Sequence, residues 1–143
     1  MLILVATDGS EHSDRAVDMA ARLAKAAAAK LLVITVGDRF AGEGLERLAR
    51  AEGGIGEALE LVSSQILRHA AARAREHSVS SIETRFCWGE PAKVIEETAQ
   101  QMSADAIVVG RRGHGRSLLH GLFLGSVSQE LVSRSDRPVL VVP

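Results

Sequence analysis

The stretch LILVATDGS, residues 2–10, joins a continuous apolar run to a tight turn. An uninterrupted run of this kind is typical of a strand buried on both faces of a parallel sheet. Asp8 and Gly9 then predict a turn, and Ser10 is suited to cap a following helix. From Asp14 to about Ala29 the apolar side chains recur at helical spacing. The stretch therefore predicts a strand–turn–helix unit.

The same unit recurs along the chain. Further strands are predicted at 31–36, 82–88, 104–109 and 138–142, and the intervening segments have helical spacing. Pro91 suits the first position of one helix, and Ser126 with Gln129 matches a capping box at the start of another. Strand–helix alternation implies right-handed crossovers. We expect one α/β domain over residues 1–143, with an open five-stranded parallel sheet in the order 3-2-1-4-5 and helices on both faces.

Composition narrows the class of protein. Apolar residues make up 46% of the 143, and 17 Lys and Arg nearly balance 18 Asp and Glu. A near-neutral chain argues against binding to nucleic acid or to an anionic membrane. Cys87 is the single cysteine, which suits a reducing compartment, and no apolar run approaches the ~20 residues that span a bilayer. We expect a cytoplasmic protein without a membrane segment or a signal peptide.

The segment GRRGHGRSLLHGLFLGS, residues 110–126, follows the fourth predicted strand. Its first eight residues resemble a P-loop, except that Arg116 stands where the lysine belongs. A planar guanidinium does not replace a compact ammonium there, and only 26 residues follow Ser117. We therefore interpret the P-loop likeness as accidental.

The whole segment is better interpreted as a longer phosphate cradle. Its glycines allow tight turns that direct main-chain N–H groups towards an anion. Gly125 and Ser126 open a helix whose N-terminus favours phosphate, and Arg111, Arg112 and Arg116 add positive charge. The alternative is a loop whose glycines serve mobility and whose arginines form a solvated rim.

The expected strand order supports the cradle. Ligands of open α/β sheets sit beyond the carboxyl ends of the strands, where the strand order reverses. Strands 1 and 4 are neighbours at that point, so Asp8 should face the glycine loop, with Val36 one strand further out. A nucleotide would then place its base and ribose towards Val36 and Asp8. The alternative for Asp8 is a turn residue that bonds its local backbone.

These residues resemble the universal stress protein family over the whole chain. The resemblance is carried by VATDGSEHSDRAVDMA, by WGEPAKVIEETAQQMSADAIVVG and by LGSVSQELVSRSDRPVLVV. The family's nucleotide motif is Gly, two residues, Gly, nine residues, Gly, then Ser or Thr. Gly110 and Gly113 match its first half, and Gly125 with Ser126 matches its second. Eleven residues separate Gly113 from Gly125, and counting nine back from Gly125 reaches Gly115.

The resemblance implies a Rossmann-like domain that binds ATP or a related adenine nucleotide, with Mg²⁺ as a possible companion of the phosphates. It places the ribose or its neighbourhood at Asp8 and the adenine at the main chain of Val36, and Thr7 is a further candidate for nucleotide binding. The remaining candidate residues would hold phosphate: Gly110, Gly113, Gly115, Gly125, Ser126, Val127 and Ser128. No metal-ligand cluster is expected, since His12, His69 and His77 lack suitable spacing.

The resemblance also implies a homodimer, and the last strand gives a physical reason. Residues 138–142 (PVLVV) form a short uncharged strand whose exposed edge would pair with its copy. The alternative is that the flanking prolines and helices protect the edge. Three functions remain open: a dimeric regulatory protein switched by ATP, a slow ATP hydrolase, and an interaction module without nucleotide. No catalytic base can be assigned, so an enzyme is not favoured.

Overall fold

The computed structural model describes residues 1–37, 55–113 and 125–143. We number the elements of these residues in chain order. The strands are β1 (Leu2–Ala6), β2 (Lys30–Gly37), β3 (Ile82–Trp88), β4 (Ala106–Gly110) and β5 (Val139–Val142). The helices are α1 (Glu11–Ala26), α2 (Ile55–Glu76), α3 (Pro91–Gln101) and α4 (Ser126–Arg134).

The five strands form one parallel sheet in the order β3-β2-β1-β4-β5. β1 lies at the centre, where Val5 is in register with Val33 of β2 and with Val108 of β4. The two neighbours of β1, β2 and β4, are largely buried, as their continuous apolar sequences predict. The predicted five-stranded α/β sheet and its order 3-2-1-4-5 are therefore confirmed.

Helices cover both faces of the sheet. Alternate residues of β1 point to opposite faces, so Val5 packs with α1 and α2 while Leu4 packs with α3 and α4. The α1 face consists largely of alanines, which are fully or almost fully buried and bring the helix axis close to the strands: Ala16, Ala20, Ala21 and Ala24. Within the described ranges, no helix combines the length and the apolarity needed to cross a membrane.

The predicted N-cap of α1 is confirmed. The Ser10 side chain accepts a hydrogen bond from the Ser13 amide (3.3 Å), and the helix begins at Glu11. It ends at Ala26, before the predicted Ala29, and Ala28 has a positive φ of 50°. Nothing in the run of alanines marks that end in the sequence.

The predicted capping box at the start of α4 is wrong. Gly125 is the N-cap, in an extended conformation (φ −63°, ψ 161°), and no side chain caps the helix. Ser126 is thus the first helical residue. β4 also runs from Ala106 to Gly110 rather than from 104 to 109, so Gly110 is the last residue of the strand and lies at the carboxyl-terminal end of the sheet.

Candidate functional site

Strands β1 and β4 are neighbours in the sheet, and the crevice at their carboxyl ends stays a prediction. Gly110, the last residue of β4, lies against the first turn of α1. A β-carbon added to it would lie 2.7 Å from the carbonyl carbon of His12 and 2.9 Å from the amide nitrogen of Ser13. Glycine at this position is therefore required for the close approach of β4 to α1.

A hydrogen-bonded turn follows β1. The buried Thr7 hydroxyl lies 3.1 Å from the Ser13 hydroxyl and accepts from the Gly9 amide (3.2 Å). Asp8 Oδ1 accepts from the Ser10 amide (2.9 Å), and Gly9 adopts a φ of +80°, which glycine tolerates best. These hydrogen bonds fix Thr7 and Asp8 between the end of β1 and the start of α1.

The structure brings Asp8 and Gly113 together, as the sequence predicted. A β-carbon added to Gly113 would overlap Asp8 Oδ2. The Asp8 carboxylate thus has one oxygen on the local Ser10 amide and the other beside the glycine loop. The predicted turn role is observed, and it leaves the carboxylate facing the loop.

Hydrogen bonds at Arg111 hold the two ends of the glycine loop together, and we call this arrangement the clasp. The Gly125 amide donates to the Arg111 carbonyl (2.7 Å), and the Arg111 amide donates to the Val142 carbonyl at the end of β5 (2.7 Å). A β-carbon on Gly125 would lie 3.2 Å from Arg112 Cα and 3.8 Å from the Gly113 nitrogen. Residues 114–124, including the candidate Gly115, lie outside the described residues.

The N-terminus of α4 lies at the joined ends of the glycine loop. The first intrahelical bond of α4 runs from the Gln129 amide to the Gly125 carbonyl (2.9 Å). The amides of Ser126, Val127 and Ser128 precede it, so they have no acceptor within the helix. No acidic residue lies in this first turn. Main-chain donors and the positive end of the helix dipole therefore meet at the loop.

The Ser128 hydroxyl serves the clasp. It is buried and lies 2.9 Å from the Arg111 carbonyl oxygen and 3.0 Å from that of Gly125, to either of which it donates. Ser126 is exposed. Contact of either hydroxyl with a phosphate stays a prediction, and the structure adds for Ser128 a role in holding the loop ends.

Positive charge surrounds the start of α1. Burial and the guanidinium groups of Arg15, Arg112 and Arg111 lower the pKa of His12 below 6.5, while Glu11 acts in the opposite direction. Arg111 Nε and Arg112 Nη2 are buried and have no hydrogen-bond partner within the part of the chain that the structure describes. Such donors suit an anion at the crevice.

Comparison with known proteins decides the family. The model of the universal stress protein family matches residues 1–143. The chain belongs to this family. A universal stress protein of Thermus aquaticus is 36% identical over 149 residues, covering 98% of this chain and 96% of its own length. Universal stress protein YxiE of Bacillus subtilis is 37% identical over 146 residues, covering 98% and 97%.

Solved structures of the family have the same fold. A crystal structure of a universal stress protein in complex with cAMP superposes with a TM-score of 0.74 at 34% identity, covering 100% of this chain and 97% of that one. A universal stress protein of Lactobacillus plantarum superposes with a TM-score of 0.78 at 23% identity, covering 100% and 97%.

The position of Val36 in this universal stress protein follows from strand geometry. The Thr7 amide donates to the Ile34 carbonyl (2.9 Å), so the main-chain polar groups of Ile34 face β1. Successive residues of a strand direct these groups to alternate sides, so those of Val36 face the same side as those of Ile34. β1 ends at Ala6, so the amide and carbonyl of Val36 face the side of β1 beyond its last residue, and their contact with adenine stays a prediction.

His12 is the site residue that sequence reasoning missed. Its position two residues after the Ser10 cap was visible, but its neighbours Arg111 and Arg112 come from the far end of the chain. Among the residues that the structure describes, no group of three or more His, Cys, Asp or Glu side chains is arranged to hold a metal ion.

Proposed function

We propose that this universal stress protein binds an adenine nucleotide, with ATP as the expected ligand, and acts in the stress response as a regulatory homodimer switched by nucleotide occupancy. The observation that carries the proposal is the clasp between Arg111 and Gly125 (2.7 Å), which sets Gly113 and the uncapped start of α4 around one point. The eleven-residue spacing of the motif is compatible with this closure, because its two ends meet.

The nucleotide would lie across the crevice. Its phosphates would accept hydrogen bonds from the amides of Ser126 and Val127, while the glycines at 110, 113 and 125 permit close approach of the main chain. Asp8 Oδ2 would accept a hydrogen bond from a ribose hydroxyl. The amide and carbonyl of Val36 offer one donor and one acceptor, which match the adenine ring edge.

The remaining candidates complete this arrangement. Gly115 is proposed as a further phosphate-binding residue, Thr7 as the support of the Asp8 turn, and the Ser128 amide as a third phosphate donor. Any Mg²⁺ would be held by the phosphates themselves in this proposal. The cAMP complex of a family member at 34% identity supports an adenine nucleotide as the ligand class; the choice of ATP comes from the family motif.

Regulation is favoured over hydrolysis by the chemistry of the crevice. Hydrolysis requires a group that orients or deprotonates a water molecule. The described side chains nearest the phosphate position are arginines, the Asp8 carboxylate already bonded to the Ser10 amide, and His12 hydrogen-bonded to Arg15. We propose that the protein acts in the cytoplasm and pairs through the β5 edge with its copy.

The test is a calorimetric titration with ATP and Mg²⁺, performed on protein that has been unfolded and refolded to remove bound nucleotide. We expect saturable binding at one site per chain. Gly125→Val should abolish it, because the added β-carbon lies 3.2 Å from the Arg111 oxygen and from Arg112 Cα and would push the loop ends apart. Asp8→Asn, with Asp136→Asn on an exposed turn as its matched control, tests the ribose contact.

The outcomes separate the three functions. Binding without release of inorganic phosphate supports the regulatory protein. Phosphate release that disappears in Asp8→Asn would establish the hydrolase instead. An empty crevice in a folded dimer would establish the interaction module, and unchanged affinity in a folded Gly125→Val variant would refute the placement of the site.

A further inference from the structure

The hydrogen bond between Arg15 and His12 defines the protonation state of the histidine. Arg15 Nη2 lies 3.0 Å from His12 Nδ1. A guanidinium group only donates hydrogen bonds, so Nδ1 accepts and carries no proton. The imidazole is therefore neutral in this arrangement, with its proton on Nε2. Protonation at Nδ1 requires that this hydrogen bond break.

Four charged groups around His12 affect the pKa of its imidazole ring. Glu11 and Arg15 belong to α1, and Arg111 and Arg112 belong to the segment after β4. Three cations and one carboxylate thus surround the ring. Arg15 is also held from the other side, because its Nε donates to the main-chain oxygen of Pro143 (2.8 Å). Burial first, and then the charges of Arg15, Arg112 and Arg111, lower the pKa of the His12 ring and disfavour a positive charge on it.

His12 belongs to the wall of the crevice. Its main chain directly abuts Gly110, where an added β-carbon would lie 2.8 Å from the His12 carbonyl oxygen. The two arginines that bear on its ring are the residues immediately after Gly110, on the near flank of the glycine loop. An anion bound at the loop would therefore change the electrostatic surroundings of the imidazole.

We propose that His12 is a proton-linked phosphate sensor of this site. When phosphate groups occupy the glycine loop, their negative charge offsets Arg111 and Arg112, and His12 Nδ1 takes up a proton from solvent. The Arg15–His12 hydrogen bond then breaks, and the imidazolium becomes a donor at the site. This inference rests on the proposed function, since it requires a phosphate-bearing ligand at the loop.

Two consequences are measurable. First, nucleotide binding should take up to one proton per site from solvent. Second, the affinity for nucleotide should be higher at acid pH than at alkaline pH, by about tenfold for each pH unit by which binding raises the titration midpoint of His12. The terminal phosphate of ATP also titrates near neutrality. The relevant quantity is therefore the difference between the wild type and a variant that lacks the titrating ring.

The experiment combines ring NMR with calorimetry. The His12 ring resonances are titrated between pH 5 and 8.5 with and without saturating ATP, and His12→Gln assigns them. We expect ATP to raise the midpoint by about one pH unit or more. ATP binding is then measured in buffers of different ionisation enthalpy, where His12→Gln should take up fewer protons than the wild type. His69→Gln, on α2 and paired with Asp14, is the matched control and should behave as the wild type.

The result that overturns the inference is an unchanged His12 midpoint at saturating ATP, or equal proton uptake by the wild type and His12→Gln. In either case ATP still binds and the proposed function stands. If ATP does not bind to the wild type at all, the proposed function fails, and the inference fails with it. If His12→Gln does not fold, substitution of the other four histidines one at a time assigns the His12 resonances by elimination, and the NMR titration of the wild type then decides the matter.

Discussion

His12 is the residue whose ionisation should most visibly change the stability of the unliganded protein. Burial, followed by the charges of Arg15, Arg112 and Arg111, lowers its pKa below the value of 6.5 that it has in an unfolded chain. The unfolded state therefore binds more protons than the folded state once the pH falls to about 6.5. The contribution of His12 is fully present above that pH and is lost as the pH falls through 6.5 towards the lowered pKa.

We predict that His12→Gln reduces the loss of stability as the pH falls below about 6.5. Chemical unfolding of the nucleotide-free protein at pH 8 and at pH 5.5 should show a smaller loss of the free energy of unfolding for the variant than for the wild type. The glutamine side chain retains an oxygen that accepts from Arg15, so the two proteins are compared with the same hydrogen bond available. An equal or steeper loss in the variant would contradict the lowered pKa of His12.

At the residue scale, the sequence predicts which residues meet when their positions follow from the order of the strands. It does not predict contacts that depend on side-chain packing. Asp8 and Gly113 were expected to meet, because each follows a strand and the two strands are neighbours. The hydrogen bonds of Ser128 to the clasp and the contact of Gly110 with α1 were not expected. Both depend on distances between atoms that lie far apart in sequence and have no characteristic spacing.

The clasp is the feature of the element scale that joins β4, β5 and α4. Arg111 receives hydrogen bonds at its carbonyl oxygen from the Gly125 amide and the Ser128 hydroxyl, while its amide donates to Val142. The start of α4 is thereby tied to the ends of two strands. Its amides are held in place before any ligand arrives, which is the preorganisation that anion binding requires.

Ser128→Ala should weaken the clasp measurably. The variant loses one buried hydrogen bond, while the two carbonyl oxygens keep their main-chain donors, so we expect a loss of about 1 kcal/mol in the free energy of unfolding. Ser133→Ala is the matched control on the same helix, because its exposed hydroxyl makes a similar bond to the Gln129 carbonyl (2.9 Å). Denaturant unfolding should show a change for Ser133→Ala within about 0.5 kcal/mol. Equal losses in the two variants would mean that the Ser128 hydroxyl stabilises the clasp no more than an exposed hydroxyl stabilises its own helix.

Element bounds were predictable where a side chain marks them. Pro91 marks the start of α3 in the sequence, and the structure places the helix there with Glu90 as its cap. The end of α1 falls in a run of alanines that favours helix at every position, so only packing against the sheet decides it. At α4 the serine looked like a cap, but the tight approach of the chain to Arg111 gives that position to Gly125.

At the scale of the whole molecule, the strand order was predictable because few topologies satisfy the connection rules. Five strands alternate with helices, crossovers are right-handed, and both faces of the sheet need cover. The crevice then follows from the order alone, since neighbouring strands with oppositely placed helices leave a gap at their carboxyl ends. The strand order does not predict the proposed second protomer, which is inferred from exposed apolar side chains around β5.

The dimer proposal predicts a specific sensitivity of the β5 edge. Leu140 of β5 exposes 39% of its surface, and Val132 of α4 exposes 52%. Pairing of β5 with its copy across a two-fold axis would bury both. Leu140→Lys would place two ammonium groups close together at that edge, so we expect the dimer to dissociate at least tenfold more readily. Sedimentation equilibrium at micromolar concentration measures this directly.

The matched control for this prediction is Leu61→Lys on α2, because Leu61 is 43% exposed and α2 packs on β2 and β3, at the other side of the sheet from β5. The same charge is added at a similar exposure, so a general effect of lysine on solubility or stability would appear in both variants. Dissociation of Leu140→Lys alone locates the interface at β5. Dissociation of Leu61→Lys alone would move the interface to α2, and two unchanged dimers would exclude the β5 edge as the pairing surface.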